Sequence, residues 1–524
     1  MGAVDALNDA RRRGAKIIVV DPRRSGSAAL ADRWLRVRPG CDLALLLGIA
    51  HVLIAEDLYD HEFVTRYTTG FDELAQAAAV WTPEWAESMC DVPAAEIVAT
   101  ARDLAAAAPA AVVDAGFHGG IGIAYANSTQ TARAICLVDV LLGCIGHAGG
   151  ALNPPTPLAL GDLDPACFAT PSVPREPKLG SERYPLVDPE RGLCTTIGQS
   201  ILAGDLRGLI VYASNPGAGY GNAGAWLSIL EQLDLLVTID IRWSETARAS
   251  DFVLPDVTYL EADRGVGTVV GANDSRVFYR NAVLPVLHND TRPGREIFAG
   301  LAAACGVGEY FQFTSDELAA AQVAPFGINL DELKERGWAD TGVALPSRTG
   351  EPVIPLNGGR IALASDVWER AGLGCVPNWI APMVEPGPGM FRLISGNRPF
   401  ESHTSRALAA RGAAEEGADL DAVQMNADVA SRLGIENGEV VDIVSDMGRD
   451  RVRVETTPYL HPACIFTSAA PGGRRAGESG TGGALGVGPL DHTPLRWDPL
   501  TGAALTQENA VRVEKIVARG DNDE

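Results

Sequence analysis

The stretch VVDPRRSGSAALADRW, residues 19 to 34, places one carboxylate and two guanidinium groups just past an apolar run. Asp21 ends the run, Arg23 and Arg24 follow, and small residues then open a helix. In open α/β sheets the carboxyl ends of the strands form the ligand crevice. A carboxylate there can accept from ribose hydroxyls or from the amino edge of guanine, and arginines can meet phosphate. The same residues equally suit a solvated loop in which the Asp caps a helix. RVRPGCD, residues 36 to 42, adds Gly40, where backbone can approach a ligand closely, and Asp42 at the head of a helix, which also fits a plain N-cap.

The arrangement recurs further on. VYASNPGAGYGN (211 to 222) sets Ser214, Asn215 and glycine-rich backbone between a strand and a helix. Amides in such a loop suit a diphosphate, although a simple turn has the same composition. TIDIRWSETARASDFVLPDVTYLE (238 to 261) has Asp240 ending a second strand, Thr246 opening a small-residue helix and Asp251 before another apolar run. Two acidic strand tips make two nucleotides, or two halves of a doubled cofactor, plausible. The first of these stretches is not the G-x-G-x-x-G fingerprint and the chain has no G-x-x-x-x-G-K-[ST], which disfavours ordinary NAD or ATP binding. In SGNRPFESHTSR (395 to 406) a strand leads into His403, Thr404 and Ser405, a donor-rich run able to close over an anionic or heterocyclic ligand, or a structural loop.

The elements that must position these groups follow from pattern. At 524 residues the chain exceeds what a single core sustains, so several domains are expected. Residues 1–155 alternate short apolar strands (AKIIVVD, APAAVVDAG) with helices (CDLALLLGIAHVLIAE, NSTQTARAICLVDVLLGCIG). Residues 156–385 begin with a Pro/Gly-rich connection and continue with the strands RGLIVYAS, DLLVTIDI and ASDFVLP. Residues 386–524 carry close-spaced alternating strands such as GEVVDIVSD and RDRVRVETT. The expected fold class is α/β: two doubly wound, Rossmann-like lobes and a C-terminal β-barrel domain.

A net charge of −24 argues against a nucleic-acid backbone as partner. Apolar runs of six to nine residues, as in GLIVYA and LDLLVTIDI, are too short to insert in a bilayer as helices, and the first twenty residues hold no signal-like apolar core. The nine cysteines form no C-x-x-C pair, so no metal ligand is expected from this chain.

Taken in order, GAKIIVVDPRRSGSAALADRWLRVRPGCDLALLLGIAHVLI, NSTQTARAICLVDVLLGCIGHAGG, SNPGAGYGNAG, VTIDIRWSETARASDFVLPDVTYLE, GGRIALASDVWERAGL, QMNADVASRLGIENGEVVDIVSDMGR and DPLTGAALTQENAVRVEKI resemble the molybdopterin oxidoreductases of the dimethyl sulfoxide reductase family, nearest the thiosulfate and polysulfide reductase branch. The resemblance implies molybdenum or tungsten on bis-molybdopterin guanine dinucleotide. It assigns Asp21, Arg23, Gly40 and Asp42 to one guanosine half, and Ser214, Asn215, Asp240, Thr246 and Asp251 to the other. It points His403, Thr404, Ser405 and Asn509 toward the pterins. Cys41 stands where the family motif commonly has Thr.

In the family a [4Fe–4S] segment and a metal-ligand loop precede the DPR strand, so both are expected upstream of Met1 and the chain is expected to be partial. No catalytic residue is assigned. The implied activity is an oxidoreductase acting on a small oxyanion or sulfur compound, with an iron–sulfur electron-transfer subunit as partner. The chain as written reads as cytoplasmic, or periplasmic if an upstream segment carries a twin-arginine signal. Alternatives are an inert scaffold subunit or degenerate fragment, a non-redox hydratase or transhydroxylase of the same family, and a plain Rossmann dehydrogenase.

Overall fold

The computed structural model describes residues 3–114, 125–169, 178–187, 192–269, 273–354, 358–396, 422–468 and 486–516. The first unit is built around the helix Asp42–Ala55, DLALLLGIAHVLIA, ten of whose residues are buried. A helix apolar all round needs neighbours all round. Here Pro83–Cys90, Ala94–Ala107 and Ser128–Leu141 enclose it, and Gly48 lets Ala86 and Ile97 pack against its backbone. Strands β1 (Ile18–Val20) and β2 (Arg33–Leu35) pair in parallel, Val20 opposite Leu35, which brings Asp21 and Arg36 to the same end.

The strand expected in APAAVVDAG does not form across 111–114, and residues 115–124 lie outside the described residues. The Val113 amide bonds to the Asp139 carboxylate at 2.8 Å rather than to a neighbouring strand. The expected doubly wound sheet of the first lobe is thus a two-stranded pair among the described residues. A short strand β3 (Thr68–Thr69) lies on the same unit.

The second lobe matches the pattern more closely. Strands β4 (Gly208–Tyr212), β5 (Leu235–Asp240) and β6 (Phe252–Pro255) form a parallel sheet in that order, crossed over by the helix Ala223–Leu230. Val211, Leu236, Ile229, Leu230 and Ile201 make its core. An antiparallel sheet of β7 (Val266–Thr268), β8 (Arg276–Tyr279) and β9 (Trp338–Asp340) was not legible, because strands of three or four residues carry too little alternation. Strand β10 (Ile361–Ala362) then returns to pair in parallel with β3, and Leu363, Val376 and Trp379 join the first core. Composition groups these residues with the second lobe; packing ties them to the first.

The C-terminal domain is a mixed six-stranded sheet of β11 (Arg392–Gly396), β12 (Ala422–Asn426), β13 (Val440–Ser445), β14 (Gly448–Thr457), β15 (Cys464–Ser468) and β16 (Arg512–Lys515), ordered β11-β15-β12-β14-β13-β16. Its two edges meet. Phe391 and Val511 exchange both backbone hydrogen bonds, at 2.8 and 2.9 Å. Beside them the buried Asn509 amide behaves as an added residue of ladder: Oδ1 accepts from Leu393 N at 2.9 Å and Nδ2 donates to Leu393 O at 3.0 Å. These contacts bring the ends of the two edge strands together at one corner of the sheet. No described helix is long and apolar enough to cross a membrane.

Replacing Asn509 with Leu leaves the Leu393 amide and carbonyl without partners in a dry seam. The expected loss is about 2–4 kcal/mol in urea-monitored unfolding; a change under about 0.5 kcal/mol, the scale of ordinary surface substitutions, would show that the seam does not depend on this amide.

Candidate cofactor-binding site

The first crevice opens at the carboxyl ends of β1 and β2. Asp21 Oδ1 accepts from the Arg23 amide at 2.8 Å, and the Trp34 indole donates to the Asp21 carbonyl at 2.8 Å. Burial raises the Asp21 carboxyl above its ordinary range, against the opposing pull of the Arg23 amide, Ser25 and the Arg23 charge. Asp42, on the first turn of its helix, is pushed up to about 6, chiefly by burial and further by Asp21. It keeps some accessible surface. Among the described residues no cation pairs with Asp42. Two carboxyl groups in one poorly hydrated cleft are matched by a ligand rich in N–H and O–H donors.

The other expected residues of this crevice have structural duties. Gly40 adopts φ +82°, and a Cβ there would lie 2.9 Å from Pro382 and 3.2 Å from Tyr125, so the packing of the protein itself requires the glycine. The Arg23 guanidinium lies 3.9 Å over the Phe466 ring while its backbone bridges to Leu460. Arg24 does likewise, with its guanidinium 5.0 Å over Tyr459 and its amide bonded to the Tyr459 carbonyl at 2.8 Å. The arginine pair thus fastens the first unit to the C-terminal domain. Cys41 is buried, which pushes its thiol up to about 12 and keeps it neutral.

Behind the crevice lies a cluster that motif reading missed. Glu508 is 0% exposed and Arg392 2%. Glu508 Oε1 accepts from Ala126 N at 2.9 Å and Met383 N at 2.8 Å; Oε2 accepts from Val384 N at 2.9 Å and lies 3.4 Å from Arg392 Nη1. Arg392 also donates to the carbonyls of Gln507 and Val384 and sits 5.2 Å over Tyr125, whose hydroxyl donates to Gln507 Oε1 at 2.9 Å. Asn127 Nδ2 then donates to the Gly40 carbonyl at 2.8 Å, completing the path to Asp42. The only sequence signal was the adjacency of Gln507 and Glu508 to Asn509.

A cavity of about 400 Å³ adjoins the end of β2, lined by Arg36, Asp91, His461, Pro462 and Ala463. His461 Nε2 lies 3.2 Å from Asp91, which Arg38 grips with two bonds of 2.8 and 2.9 Å. Burial lowers His461 to about 4, so the ring is neutral and accepts from Ala463 N at Nδ1.

The second crevice is held by reciprocal loop bonds. Asn215 Oδ1 accepts from Thr246 Oγ1 at 2.8 Å and from Thr246 N at 3.2 Å, and Asn215 Nδ2 donates to Glu245 at 2.7 Å. Buried Thr246 Oγ1 accepts in turn from Gly217 N at 3.0 Å. The helix cap here is Ser244, not Thr246. Asp240 Oδ1 accepts from Ile241 N and Arg242 N, and Ser214 stays exposed. Asp251 is not brought to this crevice: its carboxylate accepts from Leu236 N at 2.7 Å, at the opposite end of β5, about 13 Å from Asp240 at the usual strand rise. Asn509 serves the seam of the C-terminal sheet, with Nδ2 also reaching Thr493 Oγ1 at 3.0 Å. His403, Thr404 and Ser405 lie outside the described residues.

Comparison with known proteins decides the family. Residues 3–303 match the model described as molybdopterin oxidoreductase, and residues 391–504 that of the molydopterin dinucleotide binding domain. The chain belongs to the molybdopterin oxidoreductase family. It is 30% identical over 501 residues to the thiosulfate reductase molybdopterin-containing subunit PhsA of Salmonella typhimurium, covering 88% of this chain and 65% of that protein. Formate dehydrogenase H of Escherichia coli is 26% identical over 478 residues, covering 87% of this chain and again 65% of the relative. The chain therefore spans about two thirds of the length of these relatives. Acetylene hydratase from Pelobacter acetylenicus superposes with a TM-score of 0.78 at 22% identity, covering 98% of this chain and 75% of that one, a likeness of fold.

Two outcomes follow from this geometry. Glu508→Ala strands Arg392 and three amides, and is expected to cost roughly 3–5 kcal/mol in chemical denaturation; a loss no larger than for a surface glutamate would remove Glu508 from the framework. For Asp42, a folded-state value near 6 against an unfolded one near 4 means that ionisation opposes folding increasingly as pH rises between those values. Asp42→Asn should then match the parent stability near pH 4 and exceed it by roughly 1–3 kcal/mol above pH 7, measured as a pH series of thermal unfolding on ligand-free protein.

Proposed function

We propose that the chain binds bis-molybdopterin guanine dinucleotide carrying molybdenum or tungsten, and forms part of the catalytic subunit of an oxidoreductase acting on a small oxyanion or sulfur compound. The observation that carries this is the pair of crevices at the carboxyl ends of β1–β2 and β4–β5–β6, each with an acidic strand tip, Asp21 and Asp240, whose carboxylate also holds its own loop. The donor set fits guanosine. Asp21 and Asp42 accept from N–H and O–H groups, and the 215–217 loop is fixed by side-chain bonds with its backbone at the strand tip.

When bound, the cofactor supplies paired electron transfer at its metal. The chain orients it: the Glu508–Arg392 cluster fixes Tyr125 and Gly40 beside Asp42, and the Arg23 and Arg24 contacts hold the C-terminal sheet over the first crevice. Among the described residues no group of three or more His, Cys, Asp or Glu is arranged to hold a metal ion. The choice of a sulfur substrate rests on the thiosulfate reductase subunit among the relatives, and that of an iron–sulfur electron partner on the family resemblance of the sequence alone.

Two measurements on protein produced with its cofactor test the proposal. Acid hydrolysis should release two GMP for each metal atom counted by mass spectrometry, and Asp240→Asn should lower that ratio; one GMP per metal in the parent protein would exclude the two-crevice arrangement. Reduced viologen should be oxidised on addition of thiosulfate or polysulfide, and silence with both would reject the sulfur substrate class.

A further inference from the structure

Arg133, on the helix Ser128–Leu141, is half-buried against the segment that returns after β10. A guanidinium taken from water is ordinarily met by a carboxylate. Among the described residues no carboxylate lies against Arg133. Instead Nη1 donates to Gln130 Oε1 at 3.0 Å, Nη2 donates to the Cys375 carbonyl at 3.1 Å, and the group sits 4.5 Å over the Trp368 ring. Gln130 is buried and locked in turn, its amide donating to Leu373 O at 3.0 Å and Asn378 Oδ1 at 2.8 Å. Of the five N–H groups of the guanidinium, the others have no acceptor among the described residues. Burial draws this cation down to about 10, and a negative charge at Cys375 acts the other way. What the place lacks is an anion. Reactive cysteines sit in electropositive, partly open surroundings. Cys375 keeps solvent access, whereas Cys41, which also feels an arginine, is buried.

Resting on the sulfur-compound reading above for the choice of anion, we infer that Arg133 and Cys375 form a site other than the two crevices, which takes a small sulfur oxyanion such as thiosulfate and accepts its outer sulfur. The planar fork of the guanidinium suits the sulfonate oxygens. The Cys375 thiol gives its proton to solvent, and its sulfur attacks the outer sulfur of thiosulfate. A new S–S bond forms as the S–S bond of thiosulfate breaks, and the electron pair of the broken bond leaves with sulfite. Cys375 is left as a persulfide, and no outside oxidant or reductant is consumed.

The probe is thiosulfate, added to the full chain without cofactor and followed by peptide mass and sulfite release. Sulfur should be added at Cys375 ahead of the exposed Cys136, Cys167, Cys194 and Cys305, with release of sulfite, and cyanide should then remove it as thiocyanate. Cys375→Ser should abolish the transfer. Arg133→Gln should slow it on the order of tenfold, the scale of one charge-assisted hydrogen bond. The parent should also alkylate at Cys375 faster with anionic iodoacetate than with neutral iodoacetamide, relative to the exposed cysteines. Arg133→Gln should lose that charge preference and Arg133→Lys should keep it, which a purely packing role for Arg133 would not produce. Sulfur spread evenly over the exposed cysteines, or an unchanged iodoacetate preference in Arg133→Gln, would overturn the site. Neither result depends on viologen oxidation at the metal, so this site and the oxidoreductase reading fail separately.

Discussion

A carboxylate with no access to water holds this molecule together. Glu508 is surrounded by three backbone amides and a guanidinium drawn from three separate parts of the chain: the approach to the helix Ser128–Leu141, the linker before β11, and β11 itself. A charge cannot be buried unless its field is answered, so the donors are fixed in position as firmly as the acceptor. Tyr125, packed on Gly40, and Asn127, bonded to the Gly40 carbonyl, inherit that position. The placement of Asp42 in its cleft is thus decided by a residue near the far end of the chain.

The two crevices reach similar ends by different physics. In the first, acidity is stored: Asp21 and Asp42 share a poorly hydrated space, and burial raises both carboxyls. In the second, the side chains have spent much of their bonding on the loops. Asn215, Thr246 and Glu245 fix one loop, Asp240 and Ser244 the other, so the backbone arrives in a set shape. One site is prepared by withheld solvation and the other by withheld freedom, and both lower the cost of ordering a large ligand.

Much of the framework could be read from pattern. The helices around Asp42–Ala55 and Ser128–Leu141, the parallel strands β4 to β6 and most strands of the C-terminal sheet were evident because each is long or strongly periodic. Motif residues at strand tips were placed well for the same reason: Asp21 and Asp240 follow apolar runs whose direction is unambiguous. Asp251 misled because it precedes its strand, so its position depends on which end of the sheet is meant. The protein contacts of Arg23 with Phe466 and of Gly40 with Tyr125 and Pro382 could not be read from the motifs, because the partners lie far away along the chain. Glu508, Arg392 and His461 were invisible, since a lone buried charge has no periodicity and acquires meaning only from its partners in space.

The pairing of β3 with β10 has a temporal consequence. Arg360 donates to the carbonyl of Thr65 across 295 residues, and the neighbouring strand pair and Trp379 complete the first core. During synthesis the parallel sheet of the second lobe emerges before those closing segments exist. The first core is begun earliest and finished late, with the second lobe nested inside it as an insertion. Long-range closure of this kind slows folding, and the early core must wait with part of its apolar surface uncovered until the returning segment arrives.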